Sequence, residues 1–210
     1  MKIGIIGAGH IGATAARLFV KAGHEVALSN SRGPETLKEL AGELGDRAHA
    51  MTVEEAARFG DVVLLAIPFS KYKALPAQAF EGKVVIDANN YYPERDGEIR
   101  ELDAGETTSS ELIAAHLKGT RLVKAFNTIY YVHLAKQGDA SLPLEERRAI
   151  FIAGDDADAK WKVKELIEGI GFATVDTGLL AEGGKKQEVG TPVYNQSLSA
   201  AEGKRMVGEI

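Results

Sequence analysis

The residues with the clearest chemistry stand at the N-terminus: Gly7-Ala8-Gly9-His10-Ile11-Gly12, directly after the apolar run Ile3-Gly4-Ile5-Ile6. Glycines at this spacing, between a strand and a helix, build a cradle for a diphosphate. Gly7 makes the tight turn, Gly9 lets the backbone approach the pyrophosphate, and Gly12 permits close packing of helix on strand. The free N–H groups and the positive end of the helix over 11–22 hold the anion. His10 and Ile11 belong to the same loop, His10 as a hydrogen-bonding residue rather than a catalyst. The pattern reads as a dinucleotide site.

The next strand end separates the two nicotinamide dinucleotides. A site for NAD places Asp or Glu about 20 residues beyond the glycines, on the ribose 2′-hydroxyl. This chain has Ser29-Asn30-Ser31-Arg32-Gly33-Pro34 there, with no acid between Val26 and Pro34. Asn30 and Ser31 offer hydrogen bonds, and Arg32 offers a charged fork for a 2′-phosphate. The expectation is NADP(H).

The elements that must position these groups follow from periodicity. Apolar runs at 2–6, 25–29, 47–50, 61–67, 83–87, 121–126, 149–153 and 172–176 read as strands. Helical patterns at 11–22, 34–44, 53–58, 109–117, 134–137 and 156–170 lie between them. Several runs lack polar alternation, as in strands covered on both faces. The alternation predicts a Rossmann-type, doubly wound α/β fold with a mostly parallel sheet. The NADP-binding domain is expected over 1–126, with a smaller C-terminal α/β part over 127–210. Residues 89–108 read as a long loop near the strand ends. Weak periodicity makes 183–210 an expected arm or frayed tail.

The 210 residues carry a formal net charge of -5 and no cysteine. No clustered basic face suggests a nucleic-acid partner. Disulfides, thiolate chemistry and cysteine-ligated metals are excluded, and no metal-ligand spacing stands out. No run approaches the roughly 20 apolar residues of a membrane span, and there is no signal-peptide pattern, so a cytoplasmic protein without a membrane partner is expected.

With these motifs in view, the chain resembles the NADP oxidoreductases that use the deazaflavin coenzyme F-420. It is also similar to the NADPH-binding domains of six-transmembrane ferric reductases. The resemblance spans about residues 1–180. It rests on the glycine loop, Asn30-Ser31-Arg32, Ala66-Ile67-Pro68, Lys124-Ala125-Phe126-Asn127-Thr128, Gly154-Asp155-Asp156 and Asp176-Thr177-Gly178. Gly190-Thr191-Pro192-Val193-Tyr194 stands where the deazaflavin enzymes are expected to carry an apolar helix.

The resemblance implies hydride transfer between NADPH and a flavin-like ring (coenzyme F-420, FMN or FAD), bound between the two parts of a homodimer-forming chain. By analogy, Ala66, Ile67 and Pro68 line the path to the nicotinamide, and Asn89, Asn127 and Thr128 bond its carboxamide or the acceptor. Each asparagine serves equally well as a turn or cap residue. Tyr91 and Tyr92 can stack on a ring or pack as ordinary tyrosines, and Lys185 and Lys186 can meet an anionic tail or simply face solvent. No catalytic acid is identifiable. Two other readings remain open: a non-catalytic NADP(H)-binding module that senses redox state, and a reductase of small imines or carbonyls.

Overall fold

The computed structural model describes residues 1–209. Eight strands form one sheet: β1 (Lys2–Ile6), β2 (Glu25–Ser29), β3 (Ala48–Ala50), β4 (Val62–Leu65), β5 (Val84–Asp87), β6 (Arg121–Ala125), β7 (Ala149–Gly154) and β8 (Ala173–Gly178). Their order is β3-β2-β1-β4-β5-β6-β7-β8. Every pairing is parallel except β6–β7, which is antiparallel. The predicted doubly wound, mostly parallel α/β fold is therefore observed. β7 and β8 extend the same sheet rather than starting another.

Strands β4 and β5 are buried along their whole length, which is why their sequences carry no polar alternation. On one face, α1 (His10–Lys21) buries Gly12, Ala15, Ala16 and Phe19, the i, i+3, i+4, i+7 stripe of a helix lying on a core. It shares that core with α7 (Tyr131–Lys136) and α8 (Ala157–Gly169). The other face packs α3 (Val53–Phe59), α6 (Ser109–His116) and two 3₁₀ turns, Phe69–Ala74 and Ala77–Phe80. Helix α2 (Lys38–Leu44) follows a 3₁₀ turn over Pro34–Leu37. Thr52 and Glu55 form a capping box at the start of α3.

Three expectations need correction. The stretch 89–108 is not a plain loop, because it holds α4 (Pro93–Asp96) and α5 (Arg100–Asp103); single turns are too short to show a period. Helix α7 starts three residues earlier than expected, since Ile129-Tyr130-Tyr131-Val132 looks strand-like in isolation. The last segment is neither frayed nor an arm. It forms α9 (Leu180–Lys185) and α10 (Ala200–Glu209), and α10 packs on β7 and β8. Ile210 lies outside the described residues. Glycine hid α10, and packing explains the glycine: a Cβ at Gly203 would stand 3.2 Å from both Phe151 and Val175.

Candidate functional site

Strands β1 and β2 end level with one another, because Ile6 pairs with Ser29. The Ser29 carbonyl accepts from the N–H groups of Gly7 at 2.9 Å and Ala8 at 3.2 Å, and this turns the chain into the glycine loop. Gly7 sits at φ 101°, and a Cβ there would lie 2.3 Å from the Ala66 carbonyl oxygen. A Cβ on Gly12 would lie 1.9 Å from the Gly7 oxygen. Both glycines answer to packing. Gly9 differs, since a Cβ on it would meet nothing within 4 Å, so protein packing does not explain that glycine. Helix α1 starts with no side-chain cap and no acid in its first turn, so its first N–H groups are left for an anion.

At the end of β2, Asn30 folds the turn with its own side chain. Its Oδ1 accepts from the Arg32 N–H at 2.8 Å, and its Nδ2 donates to Thr36 Oγ1 at 2.9 Å. This Asx turn presents Arg32 to solvent. Among the described residues the Arg32 guanidinium makes no ion pair.

A cleft of about 640 Å³ joins these parts. Of the predicted residues, Gly7, Gly9, Asn30, Ser31, Arg32, Ala66, Ile67 and Pro68 line it. Sequence reasoning missed its far wall, formed by Val53, Lys71, Ala74, Leu75 and Pro76. Lys71 and Ala74 are three apart in a 3₁₀ turn, a spacing that puts two side chains above one another. That turn carries no strong pattern in the sequence.

The remaining predicted residues do not line this cleft. Gly12 is packed beneath the loop, Ile11 rests against the core, and His10 stacks on Tyr131 with centroids 4.3 Å apart. Asn89 is buried and accepts the Ile67 N–H at 2.8 Å, bracing the Ile67-Pro68 wall from behind. Asn127 donates to Asn90 Oδ1 at 3.2 Å and to the Gln187 carbonyl at 2.7 Å. The Thr128 carbonyl accepts from Asn195. The residue before them, Phe126, has φ 65°, a strained value for an aromatic residue.

Beneath these strand ends lies a buried charge network. Lys124, fully buried, donates to Ser109 and Ser110 at 3.2 and 3.1 Å, and lies 3.5 Å from Glu188. Ser110 donates in turn to Asp87 at 2.6 Å. Burial pushes the Asp87 carboxyl above its ordinary value, against the opposing pull of Lys124 and of bonds from Ser110 and the Asn89 N–H. A second cavity of about 450 Å³ opens above Ser109 and Glu188, beside Tyr91 and Tyr92. Both tyrosine hydroxyls are engaged, Tyr91 with Asp103 and the Ile99 N–H, Tyr92 with Tyr194. Lys185 and Lys186 donate to the carbonyls of Gly105 and Val207.

Residues 2–91 match the family described as NADP oxidoreductase, coenzyme F420-dependent. Over those residues the chain is similar to that family. Metalloreductase STEAP3 of Rattus norvegicus is 30% identical over 182 residues, which cover 86% of this chain and 34% of the relative. The chain thus spans about a third of the length of the curated relatives it matches. Among solved structures, a hypothetical protein from Sinorhizobium meliloti is 33% identical with a TM-score of 0.81, covering 95% of each chain. A candidate F420-dependent NADP-reductase from Arthrobacter sp. FB24 is 25% identical with a TM-score of 0.71, covering 86% of each chain. Among the described residues no helix is long and apolar enough to cross a membrane.

Proposed function

We propose that this oxidoreductase carries a hydride between NADP(H) and a flavin-like acceptor, with coenzyme F-420, FMN and FAD as the candidates. The observation that carries the reading is the cleft itself. Its wall holds two cations, Arg32 and Lys71, and no carboxylate, in a chain of net charge -5. An adenosine phosphorylated on its ribose fits such a wall, and an Asp or Glu for a free 2′-hydroxyl is not there.

In this reading the loop over 7–12 and the uncapped start of α1 hold the diphosphate. Arg32 takes the 2′-phosphate, and Val53, Leu75 and Pro76 supply an apolar seat for the adenine. When bound, NADP(H) supplies or accepts the hydride. The chain's own part is to fix the ring's approach and keep water away, which transfer between two rings needs more than a dedicated acid. Ile67 and Pro68, braced by Asn89, form the rigid side of that approach. The expected homodimer and a cytoplasmic setting belong to this proposal.

The test is a panel. Protein and NADPH are mixed with F-420, FMN or FAD, and nicotinamide absorbance is followed. Turnover with one of them supports the proposal. Tight NADPH binding with no turnover would overturn it in favour of a redox-sensing module. Turnover only with small imines or carbonyls would overturn the acceptor assignment.

A further inference from the structure

Two lysines flank Tyr72 in the turn after β4, and the fold uses them differently. In the 3₁₀ turn Phe69–Ala74, Phe69 and Tyr72 are buried in the core beneath, their rings 4.9 Å apart. Lys73 leans back over the Tyr72 ring at 5.9 Å. Lys71 points the other way. It shares the cleft wall with Ala74, three residues on, as the 3₁₀ repeat requires. Its ammonium makes no ion pair among the described residues. The turn that carries it is pinned, because the Ser70 N–H donates to Asp96 at 3.1 Å and the Lys71 N–H to the Pro68 carbonyl at 2.9 Å. The cleft lining therefore holds two cations without an ion pair, Arg32 from the β2 turn and Lys71 from the β4 turn.

We propose that Lys71 is a specificity-determining residue, the second cation of the cleft lining that holds the ribose 2′-phosphate together with Arg32. The inference rests on the NADP(H) reading above. Two features favour the 2′-phosphate over the diphosphate. The diphosphate already has its cradle in the glycine loop and α1, where backbone N–H groups do the work. Lys71 instead lies one 3₁₀ turn from Ala74-Leu75-Pro76, the apolar end that seats the adenine, so it stands near the ribose that carries the extra phosphate. A flexible ammonium facing a planar guanidinium suits a dianion, with Arg32 fixing geometry and Lys71 adding charge. Selectivity for the phosphorylated cofactor is then divided between two loops instead of residing in the β2 turn alone.

The experiment measures dissociation constants for NADPH and NADH with the full chain, wild type, Lys71→Ala, Lys71→Glu, Lys73→Ala and Arg32→Ala, at two salt concentrations. Lys71→Ala should weaken NADPH by about fivefold to twentyfold, the worth of one partly exposed charged contact, and leave NADH within about twofold. Lys71→Glu should weaken NADPH further, and Lys73→Ala should change neither cofactor. The salt dependence of NADPH binding should shrink in Lys71→Ala. Equal weakening of NADPH and NADH would place Lys71 on the diphosphate and overturn the proposal. No change in either would overturn it as well. If Arg32→Ala removes the preference for NADPH while Lys71→Ala keeps it, this inference fails and the NADP(H) reading stands. A wild type without preference would remove both.

Discussion

At the β2 side of the sheet, Arg32 and Lys71 face an open cleft whose wall contains no acid. At β5 and β6, Lys124 is fully buried and held by Ser109, Ser110 and Glu188, with Asp87 one hydroxyl away. Both regions lie at the carboxyl ends of parallel strands, where ligands bind in such sheets. One leaves its charges unpaired and solvated. The other spends every charge on its neighbours, since an unpaired charge inside would cost several kcal/mol. The difference separates an open cationic surface from a buried framework that keeps strand ends in place.

The largest expected effect falls on the framework. Lys124→Met should destabilise the fold by about 3–5 kcal/mol in urea unfolding, because Asp87 and Glu188 lose their buried partner. The double variant with Asp87→Asn should recover part of that loss. An unchanged midpoint for Lys124→Met would mean that the network holds nothing together. On the cleft side, Arg32→Glu should leave the unfolding midpoint unchanged and weaken NADPH by roughly 1–3 kcal/mol. Stability falling with affinity would blur the contrast between the two regions.

Asp96 links them, since it accepts from Ser70 in the lysine-bearing turn and from Tyr92 at the second cavity. Burial alone would raise its carboxyl, but the bonds from Arg95 and the Tyr92 and Ser70 N–H groups outweigh burial and hold it below the usual value. A depressed folded value stabilises above the unfolded value and is lost as pH falls through the folded one. Acid titration below about pH 4 should therefore release this tie in the wild type, and Asp96→Asn should flatten that limb of the stability profile. A parallel profile for the variant would contradict the assignment.

The smallest effect is expected from Thr52, the cap that starts α3 beside the cleft residue Val53. Thr52→Ala should lower Tm by about 2–4 °C without altering the ratio of NADPH to NADH affinity. A changed ratio would mean that the cleft depends on α3 more closely than its geometry indicates.

Strand and helix periodicity made the nucleotide half legible. β1 and β2 have the bounds read from their apolar runs, and the glycine loop and the acid-free turn are written in consecutive residues. Lys71 was not legible, because a six-residue 3₁₀ turn leaves no period and two neighbouring lysines look alike until Tyr72 is seen to anchor the turn. The strand-end asparagines show the converse. The resemblance gave them a role at the nicotinamide or a turn role, and Asn89 and Asn127 are turned inward onto Ile67, Asn90 and Gln187. Partners 60 residues apart, such as Asn127 and Gln187, carry no local signature. The C-terminal helices were hidden by glycines, two of which, Gly183 and Gly203, sit close against β7 and β8, so tertiary packing overrode propensity there.

If the cleft lined by Arg32 and Lys71 takes a 2′-phosphorylated dinucleotide, NADPH must bind more tightly than NADH. Calorimetric titration of the wild-type protein with NADPH and with NADH tests it most directly. The account predicts NADPH to bind tighter by about tenfold or more, at least 1.4 kcal/mol. Equal dissociation constants would contradict it.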